Sequence, residues 1–205
     1  MIGFFHSFSV YLYRIAIGLA AWGGHKKAQK WIHGRKGWKE LLQLTFQNNT
    51  QPVIWMHAAS VGEYEQGHPV LEQLQQRLPH YRFLITFFSP SGYDQKKKSI
   101  KNADVFYLPL DTAKNAQFFI QTVQPQIALF VKYEFWYHHL QTCKKNGIPT
   151  ILFSARFQPN QWFFNFWLRP FGRKYLSLFF NIGVQDDFSL VLLEDLGKNR
   201  AFVAF

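Results

Sequence analysis

The sequence predicts an α/β protein built on a Rossmann-like, doubly wound parallel sheet. Short apolar segments alternate with segments of helical periodicity between residues 53 and 196, and this alternation is typical of parallel strands that helices cover on both faces. Small and polar residues follow several of the apolar segments, as expected where parallel strands end at a ligand-binding crevice. With 205 residues, the chain is long enough for one domain, an appendage and a substantial core.

The predicted elements follow one another in a regular order. A loop at 48–52 precedes the first strand, which occupies the apolar run at 53–58. Further strands are predicted at 82–88, 105–108, 127–131, 150–153 and 181–185. Helices are predicted at 64–78, 93–101, 113–123, 133–146, 162–180 and 187–196. Pro170 is a point at which the aromatic helix at 162–180 can break, and Gly197 is the expected C-cap of the last helix.

The amino-terminal segment has a different composition. Residues 1–24 are apolar but include Arg14, which would cost a membrane-spanning helix about 2.5–3.5 kcal/mol. Residues 25–51 form a basic connecting segment. Because cations after an apolar segment favour the cytoplasmic face of a membrane, we expect 1–24 to form a membrane-associating helix that lies on the bilayer or inserts shallowly. The alternative is a first core helix with a solvated basic face.

The composition narrows the classes of partner and cofactor. A formal net charge of +11 and an aromatic content of 19% indicate an anionic partner, which leaves nucleic acid, anionic lipid and a phosphorylated substrate open. Cys143 is the single cysteine, so internal disulfides and multi-cysteine metal sites are excluded and a reduced, cytoplasmic setting is expected. The histidines lack metal-ligand spacing, and no metal site is predicted.

The segment Ser60-Val61-Gly62-Glu63 follows the first strand and has two interpretations. The S-x-x-E pattern is typical of a capping box at a helix start, which is the more common case when the pattern is taken alone. Pro69 would kink a helix that begins here, however. The first turn would then be a separate element, and Glu63 could point into the crevice as a general base.

Three further strand ends carry polar residues that suit ligand binding. Ser89-Pro90-Ser91-Gly92 can hold a phosphate or a sugar hydroxyl, or form an ordinary turn and N-cap. Glu134 lies among large aromatic residues and is either a functional carboxylate or a helix-start glutamate. Arg156 can bind phosphate or carboxylate groups, or pair with Glu63 or Glu134.

The aromatic and basic segment at 162–175 has three interpretations. Aromatic residues mixed with cations suit a membrane interface. The same residue types stack on single-stranded nucleic acid. A buried core helix is the structural alternative.

Taken in order, these segments resemble the amino-terminal half of the Kdo transferases, the 3-deoxy-D-manno-octulosonic acid transferases of Gram-negative bacteria. The resemblance covers nearly the whole chain, and its most specific motif is S-V-G-E at 60–63. Two motifs depart from the common pattern: T-P-T-G is replaced by S-P-S-G at 89–92, and E-L-W-P by E-F-W-Y at 134–137. The other matching segments are 57–59, 107–112, 154–156 and 185–187.

The resemblance implies the acceptor-binding half of a GT-B glycosyltransferase, here residues 52–205. Such an enzyme moves Kdo from the donor substrate CMP-Kdo to a lipid A precursor at the cytoplasmic face of the inner membrane, in lipopolysaccharide biosynthesis. No cofactor and no nucleic acid are implied. Glu63 matches the proposed catalytic base, and the implied substrate-binding residues are Ser60, Gly62, Ser89, Ser91, Gly92, Glu134 and Arg156.

The end of the chain sets a further expectation. The family continues into a carboxyl-terminal domain that binds most of the nucleotide sugar, whereas this sequence ends at residue 205. We therefore expect the 205-residue chain to be inactive by itself. The alternative function is a non-catalytic basic module that binds a membrane surface or nucleic acid.

Overall fold

The computed structural model describes residues 2–132 and 134–203. Within them, one parallel sheet of seven strands has the order β3-β2-β1-β4-β5-β6-β7. The strands are β1 Val53–Ala58, β2 Arg82–Phe87, β3 Asp104–Tyr107, β4 Pro125–Val131, β5 Thr150–Ala155, β6 Asn181–Val184 and β7 Ala201–Val203. The strand order proceeds outward from β1 and then reverses through β4, which confirms the doubly wound fold.

Helices lie between the strands and ahead of the first one. They are α1 Ile2–Trp22, α2 Lys26–His33, α3 Trp38–Phe46, α4 Val61–Arg77, α5 Pro90–Lys96, α6 Ala113–Val123, α7 Tyr137–Lys145, α8 Arg169–Leu176 and α9 Asp187–Asp195. The sheet separates two hydrophobic clusters. Trp55 on β1 belongs to the larger one, whereas its neighbours Ile54 and Met56 belong to the smaller one. Alternate residues of β1 thus serve opposite faces, and this accounts for its continuous apolar sequence.

The predicted helix at 162–180 is wrong. A 3₁₀ turn, Trp162–Phe164, is followed by a loop, and α8 begins only at Arg169. Pro170 lies in the first turn of α8, where its missing N–H costs nothing, so it starts a helix rather than breaking one. Gly172 brings the two pieces together, because a Cβ there would lie 2.7 Å from the carbonyl oxygen of Phe163.

The predicted break near Pro69 is also wrong, since α4 is continuous from Val61 to Arg77. Gly67 lets the helix approach the sheet closely: a Cβ at this position would lie 3.0 Å from the side chain of Val131 and 3.1 Å from that of Met56. This packing, together with the burial of Leu71, outweighs the hydrogen bond that Pro69 removes.

Other helix boundaries differ from the prediction by a few residues. The helix expected at 133–146 begins at Tyr137, so Glu134 lies in the preceding loop; Tyr133 lies outside the described residues. The helix expected at 93–101 begins and ends earlier, as α5. The last strand, β7, was not predicted because its three residues remain half-buried or exposed and carry little pattern.

The amino-terminal segments pack on the sheet domain. In the basic connecting segment, α2 and α3 form, and Leu42 and Phe46 of α3 join the larger core cluster. The first helix, α1, contacts α2 and α7 and turns its polar residues His6 and Ser7 toward the domain. Within the described residues, α1 is the one helix long and apolar enough to cross a membrane, with a mean hydropathy of 1.2 over its best window.

Arg35 fastens this amino-terminal region to the sheet. Its guanidinium donates hydrogen bonds to the carbonyl oxygens of Trp31 (3.2 Å), Phe88 (2.7 Å) and Leu108 (3.0 Å), and so links α2 to the ends of β2 and β3. The same group stacks over the rings of Trp31, Phe88 and Tyr107. Burial lowers the pKa of Arg35 to about 9, which leaves the side chain charged at neutral pH.

Replacing Arg35 with lysine should lower the free energy of unfolding by about 2–4 kcal/mol, because an ammonium group cannot reproduce the fork of donors or the stacking. Denaturant unfolding followed by circular dichroism measures the loss. The exposed Arg77 provides the matched control, and Arg77→Lys should change stability by less than about 0.5 kcal/mol. Equal effects of the two substitutions would contradict this role.

Candidate active site

The candidate site lies where the winding of the sheet reverses. Strands β1 and β4 are hydrogen-bonded neighbours, and the chain leaves their carboxyl ends in opposite directions. Ligands of open α/β sheets bind in the crevice at this point. The segment 60–63 follows β1 and Glu134 follows β4. The topology thus brings together two predicted site regions whose nearest residues, Glu63 and Glu134, are 71 positions apart in sequence.

Ser60 and Glu63 form a complete capping box at the start of α4. The Ser60 hydroxyl accepts a hydrogen bond from the backbone N–H of Glu63 (3.4 Å), and the Glu63 carboxylate accepts one from the N–H of Ser60 (3.1 Å). The expectation that a break near Pro69 turns Glu63 away from its own cap is therefore wrong. The cap also fixes the carboxylate at the carboxyl end of β1, inside the crevice region.

The surroundings of Glu63 favour its protonated form. Burial raises the pKa of Glu63, and the nearby Glu134 raises it further. Hydrogen bonds from the backbone of Ala59 and Ser60 and the proximity of His57 act in the opposite direction, but the net shift is upward. A carboxylate with a raised pKa binds a proton more readily near neutral pH, as a general base must. Glu63 can therefore cap α4 and also act as a general base.

Space for a ligand is present beside this cap. Gly62 is exposed, and a Cβ built on it would meet nothing within 4 Å. No steric contact of the chain itself therefore requires glycine at this position. A glycine that borders open space allows a ligand to approach the backbone closely.

The Ser89-to-Gly92 turn lies next to the cap, since the N–H of Ser89 donates to the carbonyl oxygen of Ala59 (2.8 Å). Ser89 caps α5 by accepting from the N–H of Gly92 (3.0 Å), and the hydroxyls of Ser89 and Ser91 are 3.1 Å apart. Ser91 is exposed and available to a ligand, whereas Gly92 is buried. A Cβ at Gly92 would lie 2.8 Å from the ring of Phe87, so this glycine has a packing role.

Glu134 is buried, with only 8% of its surface exposed, and it belongs to a polar network. Its carboxylate accepts a hydrogen bond from the indole N–H of Trp136 and lies 3.1 Å from Nε2 of His57. The other ring nitrogen of His57 contacts Thr86 on β2, and Trp55 donates to the hydroxyl of the same threonine (2.8 Å). Glu134 is therefore held in place by Trp136 and His57, and His57 is in turn held by Thr86 on β2.

Arg156 lies away from the two carboxylates. It follows β5, one strand beyond β4, and pairs with Asp186 at 3.1 Å instead of with Glu63 or Glu134. The Arg156 side chain is 61% exposed, so the pair leaves much of the guanidinium facing solvent. Arg156 therefore does not form the predicted structural bridge to Glu63 or Glu134. Its guanidinium remains an exposed cation on the carboxyl side of the sheet.

Sequence reasoning missed His57 and Thr86 as site residues. The spacing of the histidines predicts no metal site and gives His57 no role of its own, yet His57 connects β2 to Glu134. The available signal was a histidine inside an otherwise apolar strand, because a fully buried polar side chain needs partners. Its partner on β2 could not be found without the register that places Thr86 opposite His57. Across residues 2–132 and 134–203, no group of three or more metal-ligating side chains is close enough to hold a metal ion.

Comparison with known proteins assigns the family. The model of a family described as 3-Deoxy-D-manno-octulosonic-acid transferase (kdotransferase) matches residues 36–204. The chain belongs to the Kdo transferase family. The matched region contains every predicted site residue and begins after α2, so α1 lies outside it. The resemblance carried by the strand-end motifs is thereby confirmed.

Curated Kdo transferases match shorter parts of the chain. The 3-deoxy-D-manno-octulosonic acid transferase of Chlamydia muridarum is 31% identical over 128 residues, covering 62% of this chain and 30% of the relative. The enzyme of the same name from Haemophilus influenzae is 35% identical over 104 residues, covering 50% of this chain and 24% of the relative. The match thus spans about a third or less of the length of these relatives.

A solved structure supports the fold. A putative UDP-N-acetylglucosamine 2-epimerase from Listeria monocytogenes aligns with a TM-score of 0.56 and 12% identity. The alignment covers 76% of this chain and 45% of the epimerase. The low identity limits this likeness to the fold.

Proposed function

We propose that this chain is the acceptor-binding part of a Kdo transferase that moves Kdo from CMP-Kdo to a lipid A precursor in lipopolysaccharide biosynthesis. The observation that carries the proposal is the meeting of Glu63 and Glu134 at the point where the winding of the sheet reverses, inside the region that matches the family. Two carboxylates at the usual ligand crevice of the fold provide a site for proton transfer from a sugar hydroxyl.

Glu63 is the base in the proposed reaction. Its carboxylate takes the proton of the acceptor hydroxyl while the hydroxyl oxygen forms a bond to the anomeric carbon of Kdo, and the bond from that carbon to the CMP phosphate breaks. Open space beside Gly62 admits the acceptor, and the hydroxyls of Ser60, Ser89 and Ser91 bind its polar groups. Gly92 contributes by keeping the serine turn close to Phe87.

Glu134 and Arg156 complete the proposed acceptor site. Glu134 keeps a negative charge near Glu63 and so supports the raised pKa of the base. Arg156 presents an exposed guanidinium on the same side of the sheet, suited to an acceptor phosphate. Because the matched relatives extend well beyond the matched segment, we place most of the CMP-Kdo site outside these 205 residues.

The proposed location is the cytoplasmic face of the inner membrane. The outer face of α1 exposes large apolar side chains, including Phe5, Phe8 and Leu12, and the loop before α8 exposes Phe166 and Trp167. Basic residues follow α1 in α2, where they suit an anionic leaflet. Apolar and aromatic residues beside cations are typical of a protein that lies in the membrane interface.

Serine substitutions at Phe5 and Leu12 should weaken binding to anionic vesicles by about tenfold or more, because each removes apolar area that lipid would bury. Flotation of the purified chain with vesicles that contain a lipid A precursor measures the effect. Leu44→Ser on α3 is the control, since Leu44 is at least as exposed as Phe5 and Leu12 but lies on another helix. Equal flotation of the two variants would contradict membrane binding through α1.

Transfer assays test the proposed activity. With CMP-Kdo and a lipid A precursor, the complete transferase that contains these residues should form the Kdo-modified lipid, whereas the purified 205-residue chain should not. Transfer by the chain alone would contradict the placement of the donor site. Tight, salt-dependent binding to single-stranded nucleic acid, without binding to lipid, would instead favour the non-catalytic basic module.

A further inference from the structure

A cavity of about 1010 Å³ opens at the amino ends of the strands, at the end of the sheet opposite to the candidate active site. Thr150, which begins β5, and Phe180, which precedes β6, border it together with the loop before β7. Small-molecule sites in proteins have volumes up to about 1,000 Å³. Within residues 2–132 and 134–203, no carboxylate lines the cavity, but four cationic side chains do: Lys144, Arg173, Lys198 and Arg200.

Backbone oxygens hold two of these cations in place. Lys144 on α7 donates a hydrogen bond to the carbonyl oxygen of Ser177 (2.8 Å), and Lys198 donates one to the carbonyl oxygen of Phe179. Both carbonyl groups directly follow the end of α8. The two ammonium groups are therefore fixed beside the same helix end, and their positive charges lie close together.

The helix ends around the cavity do not neutralise this charge. The carboxyl ends of α7, α8 and α9 border the cavity, and each carries about half a negative charge, or about 1.5 charges together. Four cations therefore leave a surplus of about 2.5 positive charges. The guanidinium groups of Arg173 and Arg200 form no ion pair within the described residues. Burial, together with the charges of Lys144 and Arg200, lowers the pKa of Lys198 to about 8, as expected where positive charge is uncompensated.

The rest of the cavity lining is largely apolar. Leu176, Leu178 and Leu196 line it and are buried in the core, whereas the side chain of Phe180 is 49% exposed. The guanidinium of Arg200 lies over the ring of Phe180, at 4.5 Å from its centroid. A planar ring that packs against Phe180 would bury apolar area and stack favourably. The cavity thus combines a surface for an apolar ring with a surplus of positive charge.

We propose that this cavity binds a small phosphate ester that carries a planar ring. A phosphate monoester has about 1.5–2 negative charges at neutral pH, which is close to the surplus of the four cations. Lys144, Lys198 and Arg200 hold the phosphate, since ammonium and guanidinium groups form charge-assisted hydrogen bonds to its oxygens. The ring packs against Phe180. The site lies at the other end of the sheet from Glu63, so its occupation does not depend on the proposed transfer reaction.

Titration of the 205-residue chain with phenyl phosphate tests the proposal, with binding followed by ¹H–¹⁵N chemical shifts. Binding should be saturable, and it should be tighter than that of inorganic phosphate, which lacks the ring, or of phenol, which lacks the charge. Arg200→Gln should weaken it by about tenfold or more, because a charge-assisted hydrogen bond is lost. Lys145→Gln is the matched control: Lys145 is exposed and adjacent to Lys144 but does not line the cavity, and its loss should leave binding nearly unchanged.

The titration of Lys198 in the wild-type chain gives a second measurement that needs no folded cavity variant. Saturating phenyl phosphate should raise the pKa of Lys198 from about 8 toward its ordinary value, as followed by its ¹³Cε shift. An unchanged pKa, an absence of saturable binding, or equal weakening in Arg200→Gln and Lys145→Gln would overturn the proposal. Tighter binding of dihexanoyl phosphatidic acid, which carries acyl chains in place of a ring, would also overturn it and would assign the cavity to a lipid headgroup.

Discussion

Replacing Glu63 with glutamine should reduce Kdo transfer by the complete enzyme by about 10²–10⁴-fold, with little change in stability. Glutamine at the third helical position still completes a capping box, because its amide oxygen can accept from the N–H of Ser60. It cannot take a proton from the acceptor. The substitution therefore separates the catalytic role of the carboxylate from its role as a helix cap. The kcat for Kdo transfer measures the first role, and denaturant unfolding measures the second.

Glu65→Gln is the matched control for this prediction. Glu65 lies two residues further along α4 and pairs with Lys96 at the surface. Its substitution should leave both transfer and stability nearly unchanged. Transfer at the wild-type rate in Glu63→Gln would reduce Glu63 to a helix cap.

Replacing Asp111 with asparagine should lower the free energy of unfolding by about 3–5 kcal/mol. Asp111 is fully buried in the loop between β3 and α6, and its carboxylate binds four donors from two helices. These are Nε2 of His6 on α1 (2.5 Å), and Nδ1 of His139 (2.6 Å) with the backbone N–H groups of His138 (3.2 Å) and His139 (3.0 Å) on α7. An amide leaves some of these donors unpaired and removes the charge.

The loss of unfolding free energy in Asp111→Asn should depend on pH in a defined direction. Although burial alone would raise the pKa of Asp111, its hydrogen bonds with His139 and His6 hold it well below the usual value. A depressed pKa contributes stability that is present above the pKa of the unfolded aspartate, about 3.9, and is lost as the pH falls through the folded pKa. The difference between wild type and Asp111→Asn should therefore shrink below about pH 4.

Unfolding curves measured between neutral and acidic pH test this prediction. Asp94→Asn provides the control, because Asp94 pairs with Lys30 at the surface and should contribute less than about 1 kcal/mol. A loss of equal size in the two variants, or one that does not vary with pH, would contradict the role of Asp111 as the attachment point of α1.

The sequence predicts most of the sheet because each strand is a short apolar run bounded by turn residues. The first strand has its predicted bounds, and the five others that were predicted are present with ends shifted by one or two residues. The errors arise where tertiary packing overrides local signals. Pro69 does not break α4, because Gly67 lets this helix pack closely on the sheet. Pro170 starts α8 instead of breaking a longer helix, because Gly172 packs on Phe163.

The candidate site was only partly predictable, for a similar reason. Residues that follow a strand directly, such as Glu63 and Glu134, are visible in the sequence because their position is local. The partners that hold them depend on strand order and register: His57 meets Thr86 only because β1 pairs with β2, and it meets Glu134 only because β1 pairs with β4. The attachment of α1 through His6 likewise depends on Asp111, a residue more than 100 positions away.

The central claim is that the lipid acceptor binds at the carboxyl ends of β1 and β4, and photo-crosslinking tests it most directly. A photoreactive amino acid at Ser91, which is exposed beside the cap of α4, should capture a lipid A precursor on irradiation. The same amino acid at Asn199, which is exposed in the loop before β7 at the amino ends of the strands, should not. Equal capture at both positions, or capture at Asn199 alone, would contradict the account.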